Sequence, residues 1–181
     1  MKLKTSIILC SIIAATSAPA IANPVWDLYT GVSIGVGGQT VFTDDKSKTD
    51  PAQSFGAMFG IDLPVFRVEA EYNYLSESDS HANLAMLNAY LKMPSTVVKP
   101  YIGFGGGVAF NGKTEKNTVR TDWDTTAAYQ GMLGVTLGVS ALPFKFDIEA
   151  RAVYIPDFVE TPTAKPDLLH YDARAKIRYL F

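Results

Sequence analysis

The feature that most constrains this chain is a strict alternation of ionisable and apolar residues. From Phe66 to Tyr74 it reads Phe-Arg-Val-Glu-Ala-Glu-Tyr-Asn-Tyr, and from Phe144 to Tyr154 it reads Phe-Lys-Phe-Asp-Ile-Glu-Ala-Arg-Ala-Val-Tyr. A helix would spread those charges around its circumference, whereas a strand sends alternate side chains to opposite faces. Each segment therefore predicts a strand with one apolar face and one charged face.

Six further segments share the period of two. They are Leu28–Gly37, Ser54–Leu63, Asn83–Met93, Pro100–Phe110, Thr126–Ser140 and His170–Phe181. In the last, Tyr171, Ala173, Ala175, Ile177, Tyr179 and Phe181 alternate with Asp172, Arg174, Lys176 and Arg178. The connections alternate in length. Leu63-Pro64-Val65, Met93 to Lys99 and Ala141-Leu142-Pro143 are short, while Gly38–Gln53, Ser76–Ala82, Asn111–Thr125 and Pro156–Leu169 are longer and more polar. Every proline after the leader is expected in a turn, in a loop or at a strand's first residue, where no ladder donor is lost.

Eight strands of about ten residues, short turns at one end and long loops at the other, are the pattern of a transmembrane β-barrel. A soluble barrel or sandwich would place the apolar face inside instead. Three features favour the membrane reading. Tyr and Phe gather near strand ends on the apolar face, as an interfacial girdle requires. Glycines cluster on the opposite face, where a narrow interior needs small residues. The final residue, Phe181, falls on the apolar face. Composition agrees. Charged residues at 19% and aromatics at 12% argue against disorder, and the near-neutral mean hydropathy suits a barrel whose two faces cancel.

The first 22 residues read as a secretory signal peptide. Lys2 and Lys4 precede the apolar stretch Ile7–Ala15, and Ala20-Ile21-Ala22 forms an A-x-A cleavage site. The expected organisation is a signal peptide at 1–22 and one barrel domain at 23–181. The only cysteine, Cys10, lies inside that leader, so the mature chain has no thiol. Without Lys2 and Lys4 the 16 basic residues fall to 14, against 18 acidic ones. The resulting net charge argues against nucleic acid as a partner.

Parity places Arg67, Lys92, Lys145, Arg151, Arg174, Lys176 and Arg178 inside, against Asp62, Glu69, Glu71, Asp147, Glu149 and Asp172. An eight-stranded barrel is just filled by side chains, and a lone buried charge costs several kcal/mol. These groups are therefore expected to pair into a plug, with the last strand neutralising the acids of the strand before it. A polar pore with a charged constriction is the alternative.

Other motifs carry less. Gly107–Thr114 reads GVAFNGKT, a literal P-loop match, but the motif needs a loop followed by a helix, and here it lies in a glycine-rich strand. Ser76, Ser78, Ser80 and His81 with Glu77 and Asp79 are the one set from which an acyl-hydrolase site is conceivable, and the same residues make an ordinary solvated loop. His170 opens the last strand on the inward side. Asp44-Asp45 and the pair Asp122 and Asp124 offer oxygen ligands to a divalent cation, but acidic loop tips are more often simply hydrated. Trp123 and Phe158 are loop aromatics. No catalytic residue, metal site or cofactor is expected.

Lys99-Pro100-Tyr101-Ile102-Gly103-Phe104-Gly105-Gly106-Gly107 resembles the PY-x-G-x-G-x-G segment of small outer-membrane β-barrel proteins. Leu28–Gly35 resembles their first strand and Tyr179-Leu180-Phe181 their assembly signal. The group includes OmpA/OmpX-like and opacity-type surface proteins. The resemblance implies a bacterial outer-membrane location with both termini periplasmic. It also implies an assembly signal at Tyr171, Ile177, Tyr179 and Phe181, read by the barrel-assembly machinery and periplasmic chaperones. Outer-membrane lipid and lipopolysaccharide would surround the barrel. The function implied is non-enzymatic, in adhesion or envelope integrity, with a host or environmental ligand at the loops. A weakly conducting porin and a lipid-modifying enzyme are the alternatives.

Overall fold

The computed structural model describes residues 26–43, 46–77, 80–93, 98–116, 119–123, 125–138, 142–156 and 167–181. The expected signal peptide and the proposed cleavage site lie outside them. The described chain is all β. Its strands are β1 (Asp27–Thr43), β2 (Lys46–Asp62), β3 (Phe66–Glu77), β4 (Ser80–Lys92), β5 (Val98–Lys116), β6 (Val119–Trp123), β7 (Thr126–Gly138), β8 (Phe144–Ile155) and β9 (Asp167–Leu180).

Every strand pairs antiparallel with its neighbour. The order β4-β3-β2-β1-β9-β8-β7-β5 is closed by β4 pairing with β5, and β1 meets β9 from Tyr29↔Leu180 to Phe42↔Asp167. Eight strands thus form an up-and-down barrel without a free edge in its wall. The ninth, β6, continues the line of β7 and pairs with the outer part of β5, from Gly112↔Trp123 to Lys116↔Val119.

Sequence alternation alone leaves open which face is inside, and burial decides it. Phe104 and Leu133 are 66% and 65% exposed, whereas Arg67 and Glu69 are 0% exposed. The apolar face points outward and the charged face inward. Strand length fits a membrane. The 12 residues of β8 span about 40 Å at ~3.3 Å per residue. Tilted by about 40° they cover roughly 30 Å, which matches a bilayer's hydrocarbon core.

The two ends differ. At one, neighbouring strand ends are tied by Leu63 N–H to Phe66 O (2.9 Å), Met93 N–H to Pro100 O (2.8 Å) and Leu180 N–H to Pro143 O (2.8 Å). Phe181 lies just past β9, and its N–H reaches Leu28 O at 2.9 Å. At the other end, three of the four expected long loops are largely strand. β1 and β2 stay paired out to Thr43↔Lys46, and β5 stays paired with β6 across most of Asn111–Thr125. With 17 and 19 residues, β1 and β5 run five and seven residues past the length of β8. Beyond the bilayer neither face needs to be apolar, so the alternation fades while the ladder continues. That is why the sequence reads as loop there.

Pro51 departs from the expected proline placement, since it lies inside β2 opposite Gly38. Among the described residues the β2–β3 ladder runs out to Ala52↔Glu77, one residue short of Pro51.

Candidate functional site

Among the described residues ionisable side chains converge in the interior, and β8 serves as a ruler along it. Its inward residues run Lys145, Asp147, Glu149, Arg151, Val153 and Ile155 from the short-turn end to the hairpin end.

The layer nearest the short turns holds four cations and two carboxylates. Arg178 donates through Nε to Asp147 Oδ2 at 2.6 Å and through Nη1 to Asp62 Oδ2 at 3.2 Å. Arg67 reaches across the lumen from β3 to Asp147 on β8, 3.2 Å away. Lys145 pairs with Asp62 at 3.1 Å, and Lys92 pairs with the same carboxylate. Thr136 Oγ1 donates to Asp147 Oδ1 at 2.5 Å. The Arg67 guanidinium lies over the Tyr90 ring, 3.8 Å from its centroid, with Tyr101 at 4.7 Å, an arrangement that favours a desolvated cation.

The next layer belongs to Glu69, Glu71, Glu149, Arg174 and Lys176. Arg174 bridges two strands, donating to Glu149 Oε1 at 2.6 Å and to Glu71 Oε1 at 2.5 Å. Lys176 does the same, 3.3 Å from Glu69 and 3.2 Å from Glu149. The remaining lone pairs are met by uncharged groups. Tyr29 and Tyr90 hydroxyls donate to Glu69 at 2.7 Å each, and Tyr101 donates to Glu149 at 2.8 Å. Asn88 donates to Glu71 at 2.9 Å and accepts from Gln130 at 2.6 Å.

Above it, Arg151 holds Asp172 through two nitrogens at 3.0 and 2.5 Å. Ser54 donates to the same carboxylate at 2.5 Å, and His170 Nε2 lies 3.2 Å from it. The hairpin end is then closed by apolar side chains: Leu75, Leu84, Met86, Val153, Ile155 and Leu168 form a buried cluster with Ala82, Ala109 and Ala128.

Glycines make room for this filling. A Cβ on Gly134 would lie 2.5 Å from the Tyr101 hydroxyl oxygen, and one on Gly31 would lie 3.1 Å from Arg178 Cγ and 3.2 Å from Met58 Cγ. The β1 glycines clear space for side chains of β9 and β2: Arg178 and Met58 at Gly31, Arg174 and Ser54 at Gly35. Those of β5 receive Tyr90 and Asn88 from β4 and Met132 and Gln130 from β7.

Arg67, Glu69, Glu71, Lys145, Asp147, Glu149, Arg151, Arg174, Lys176 and Arg178 all face the interior, and every one makes at least one ion pair. The cations of β9 reach farther than their neighbour β8. They also bind Glu71, Glu69 and Asp62, on β3 and β2. Two things were missed from sequence. One is the set of uncharged partners Tyr29, Tyr90, Tyr101, Asn88 and Gln130. The other is the apolar cap, where the interior was expected to be polar or small. Its signal was present in β4, where Leu84 and Met86 alternate with Ala85 and Leu87, so that both faces are apolar.

Tyr171 and Ile177 point outward, 44% and 46% exposed. Tyr179 packs its ring against Phe144 (5.2 Å) and Phe181 (5.4 Å). The P-loop match Gly107–Thr114 is continuous strand within β5. Ser76 and His81 face each other in the β3–β4 register, whereas Ser78, Asp79, Asp44, Asp45, Asp124 and Phe158 lie outside the described residues. Asp122 and Trp123 belong to β6. Among the described residues no cluster of His, Cys, Asp and Glu could hold a metal ion.

A closed eight-stranded meander with an apolar exterior and a charged, filled interior defines a membrane-embedded β-barrel. Residues 6–167 match the model of the outer membrane protein β-barrel domain, and the chain belongs to that family. Its location is therefore the bacterial outer membrane. No curated protein matches the chain in sequence. Among solved structures, the chain is similar to Neisserial surface protein A (TM-score 0.64, 16% identity, 85% of this chain and 97% of that one). It is also similar to the attachment invasion locus protein Ail of Yersinia pestis, solved with the heparin analogue sucrose octasulfate (0.52, 13%, 84% and 99%). The outer membrane enzyme PagL has the same fold (0.50, 14%, 81% and 97%).

Proposed function

We propose that this is a non-enzymatic surface barrel: a solid pillar through the outer membrane that presents β-hairpins for binding. The termini and short turns face the periplasm, and the hairpins face outward. The observation that carries the reading is the contrast between an interior packed with paired charges and an apolar cluster and strands that continue past the membrane-spanning length. A filled lumen has nothing to conduct, while stiff hairpins hold binding groups at a fixed height with little ordering entropy to lose. The apolar exterior contacts outer-membrane lipid and lipopolysaccharide. The outward face of β9, ending in Tyr179 and Phe181, is the segment the assembly machinery and its chaperones would engage. Ail, of the same fold, was solved with a heparin analogue, and an extended acidic glycan is a reasonable first ligand to screen.

Replacing residues 113–122 with a two-residue turn tests the reading. Surface binding, scored on glycan arrays and host-matrix proteins, should be lost while the heat-modifiable mobility of the folded barrel is kept. Undiminished binding to every ligand that the full protein captures would refute display by this hairpin.

A further inference from the structure

The β1–β9 seam closes the barrel and joins strands from opposite ends of the sequence, from Tyr29↔Leu180 to Phe42↔Asp167. Every other pair of neighbours in the wall is consecutive in the chain, so a connecting segment helps to fix its register. The seam has no such segment. Nor is its register set by direct charge pairing, as it is across β8–β9. There Glu149 faces Arg174 and Arg151 faces Asp172, and both are ion pairs. The inward residues of β1 from Tyr29 to Gln39 are all uncharged, and the cations of β9 pass over them to carboxylates on β2 and β3 through long side chains. A slip of one residue would turn the charges of β9 toward lipid and is excluded by parity. A slip of two keeps every side chain on its proper face.

The outward face of the seam holds what that slip would break. Tyr171 of β9 lies directly opposite Gly38 of β1. A Cβ on Gly38 would lie 2.8 Å from the Tyr171 hydroxyl oxygen, 3.0 Å from its Cζ and 3.3 Å from Thr49 Cγ2 of β2. The ring therefore lies across β1 with its hydroxyl end toward β2. Val36, the preceding residue on the same face, is 63% exposed, whereas Gly38 is buried although it faces outward. Among the outward residues of β1 from Leu28 to Phe42, Gly38 is the one glycine. A slip of two would set Tyr171 opposite Val36 or Thr40, whose side chains fill the space that the ring needs. The same pairing of tyrosine with glycine recurs inside the barrel, where Tyr101 of β5 lies opposite Gly134 of β7 and occupies the place of its Cβ.

We propose that the Tyr171 ring seated on Gly38 is the register key of the closing seam. It admits one alignment of β1 against β9, because only Gly38 leaves room for the ring. An aromatic side chain packed over a cross-strand glycine is a recognised way to pin strand register. The key gives Tyr171 a role that needs no partner protein, separate from any recognition of β9 by the assembly machinery.

The test refolds the purified chain, in a Cys10→Ser background, from urea into phosphatidylcholine vesicles that hold no assembly machinery. Heat-modifiable mobility reads the rate, and oxidation of introduced cysteine pairs reads the register. Val36→Cys with Ala173→Cys reports the native register, in which the two positions face each other. Ile34→Cys with Ala173→Cys reports a slip of two. Tyr171→Ala should refold several-fold more slowly and give more of the slipped cross-link than the parent. Gly38→Val, a change that favours a strand on propensity alone, should do the same because it unseats the ring. The double variant should be no slower than the slower single one, and Tyr171→Phe should match the parent. Parental rate and register in Tyr171→Ala would overturn the proposal and leave Tyr171 to the assembly machinery. Additive slowing in the double variant, or impairment of Tyr171→Phe equal to that of Tyr171→Ala, would overturn it too.

Discussion

The two halves of the lumen are sealed by different chemistry. Toward the short turns, charges on β2, β3, β8 and β9 hold one another through bonds of 2.5 to 3.3 Å, and Lys92 of β4 pairs with Asp62. Toward the hairpins, side chains on β3, β4, β5, β7, β8 and β9 fill the space by volume alone. Along β8 the change falls between Arg151 and Val153, two residues apart on one face. The charged half is a set of mutual obligations. Each group is tolerable only because its partners are present, and deleting one strands the others. Neighbours can partly relax around a deletion in the apolar half, so the penalty there follows the cavity left behind.

The comparison can be broken at three points. Arg174→Ala should have the largest effect, a loss of about 3–5 kcal/mol, because it takes from Glu71 its ion pair and leaves Glu149 with Lys176 alone. Urea unfolding from lipid vesicles, followed by tryptophan fluorescence, measures it. If Arg174→Ala proved no more damaging than a surface change, the mutual-obligation picture would fail. Leu84→Ala, in the apolar cap, should cost about 2–4 kcal/mol with the barrel still folded. A smaller loss there would mean that the cap is loosely packed. Lys145→Ala should be mildest, at most about 1 kcal/mol. The Lys145 side chain is partly exposed, and its carboxylate partner Asp62 retains Lys92 and Arg178.

Much of this was legible in the sequence, for one physical reason. In a membrane barrel the period of two is enforced on both faces, by lipid outside and by a narrow lumen inside. The segments around Arg67–Asn73 and Lys145–Arg151 therefore declared strand, face and inward charge together. Where one constraint is lifted, the signal weakens. Beyond the bilayer the hairpins of β1–β2 and β5–β6 have polar residues on both faces and read as loop. Inside the cap, Leu84 and Val153 are apolar on the inward face, so alternation fades while the strand persists. Pairing across the lumen was legible only in outline. Parity places Arg174 inside, but its reach to Glu71 depends on barrel closure and on the glycines of β1. The roles of Tyr29, Tyr90 and Tyr101 had no sequence signal beyond parity, because an inward tyrosine reads equally well as filler.

The lumen as a filled pillar is tested most directly by planar-bilayer recording of the purified, folded protein. If the column of paired charges under an apolar cap seals the lumen, as proposed, the membrane should stay at baseline conductance across a range of voltages. Stable, uniform conductance steps that scale with the amount of folded barrel would contradict it.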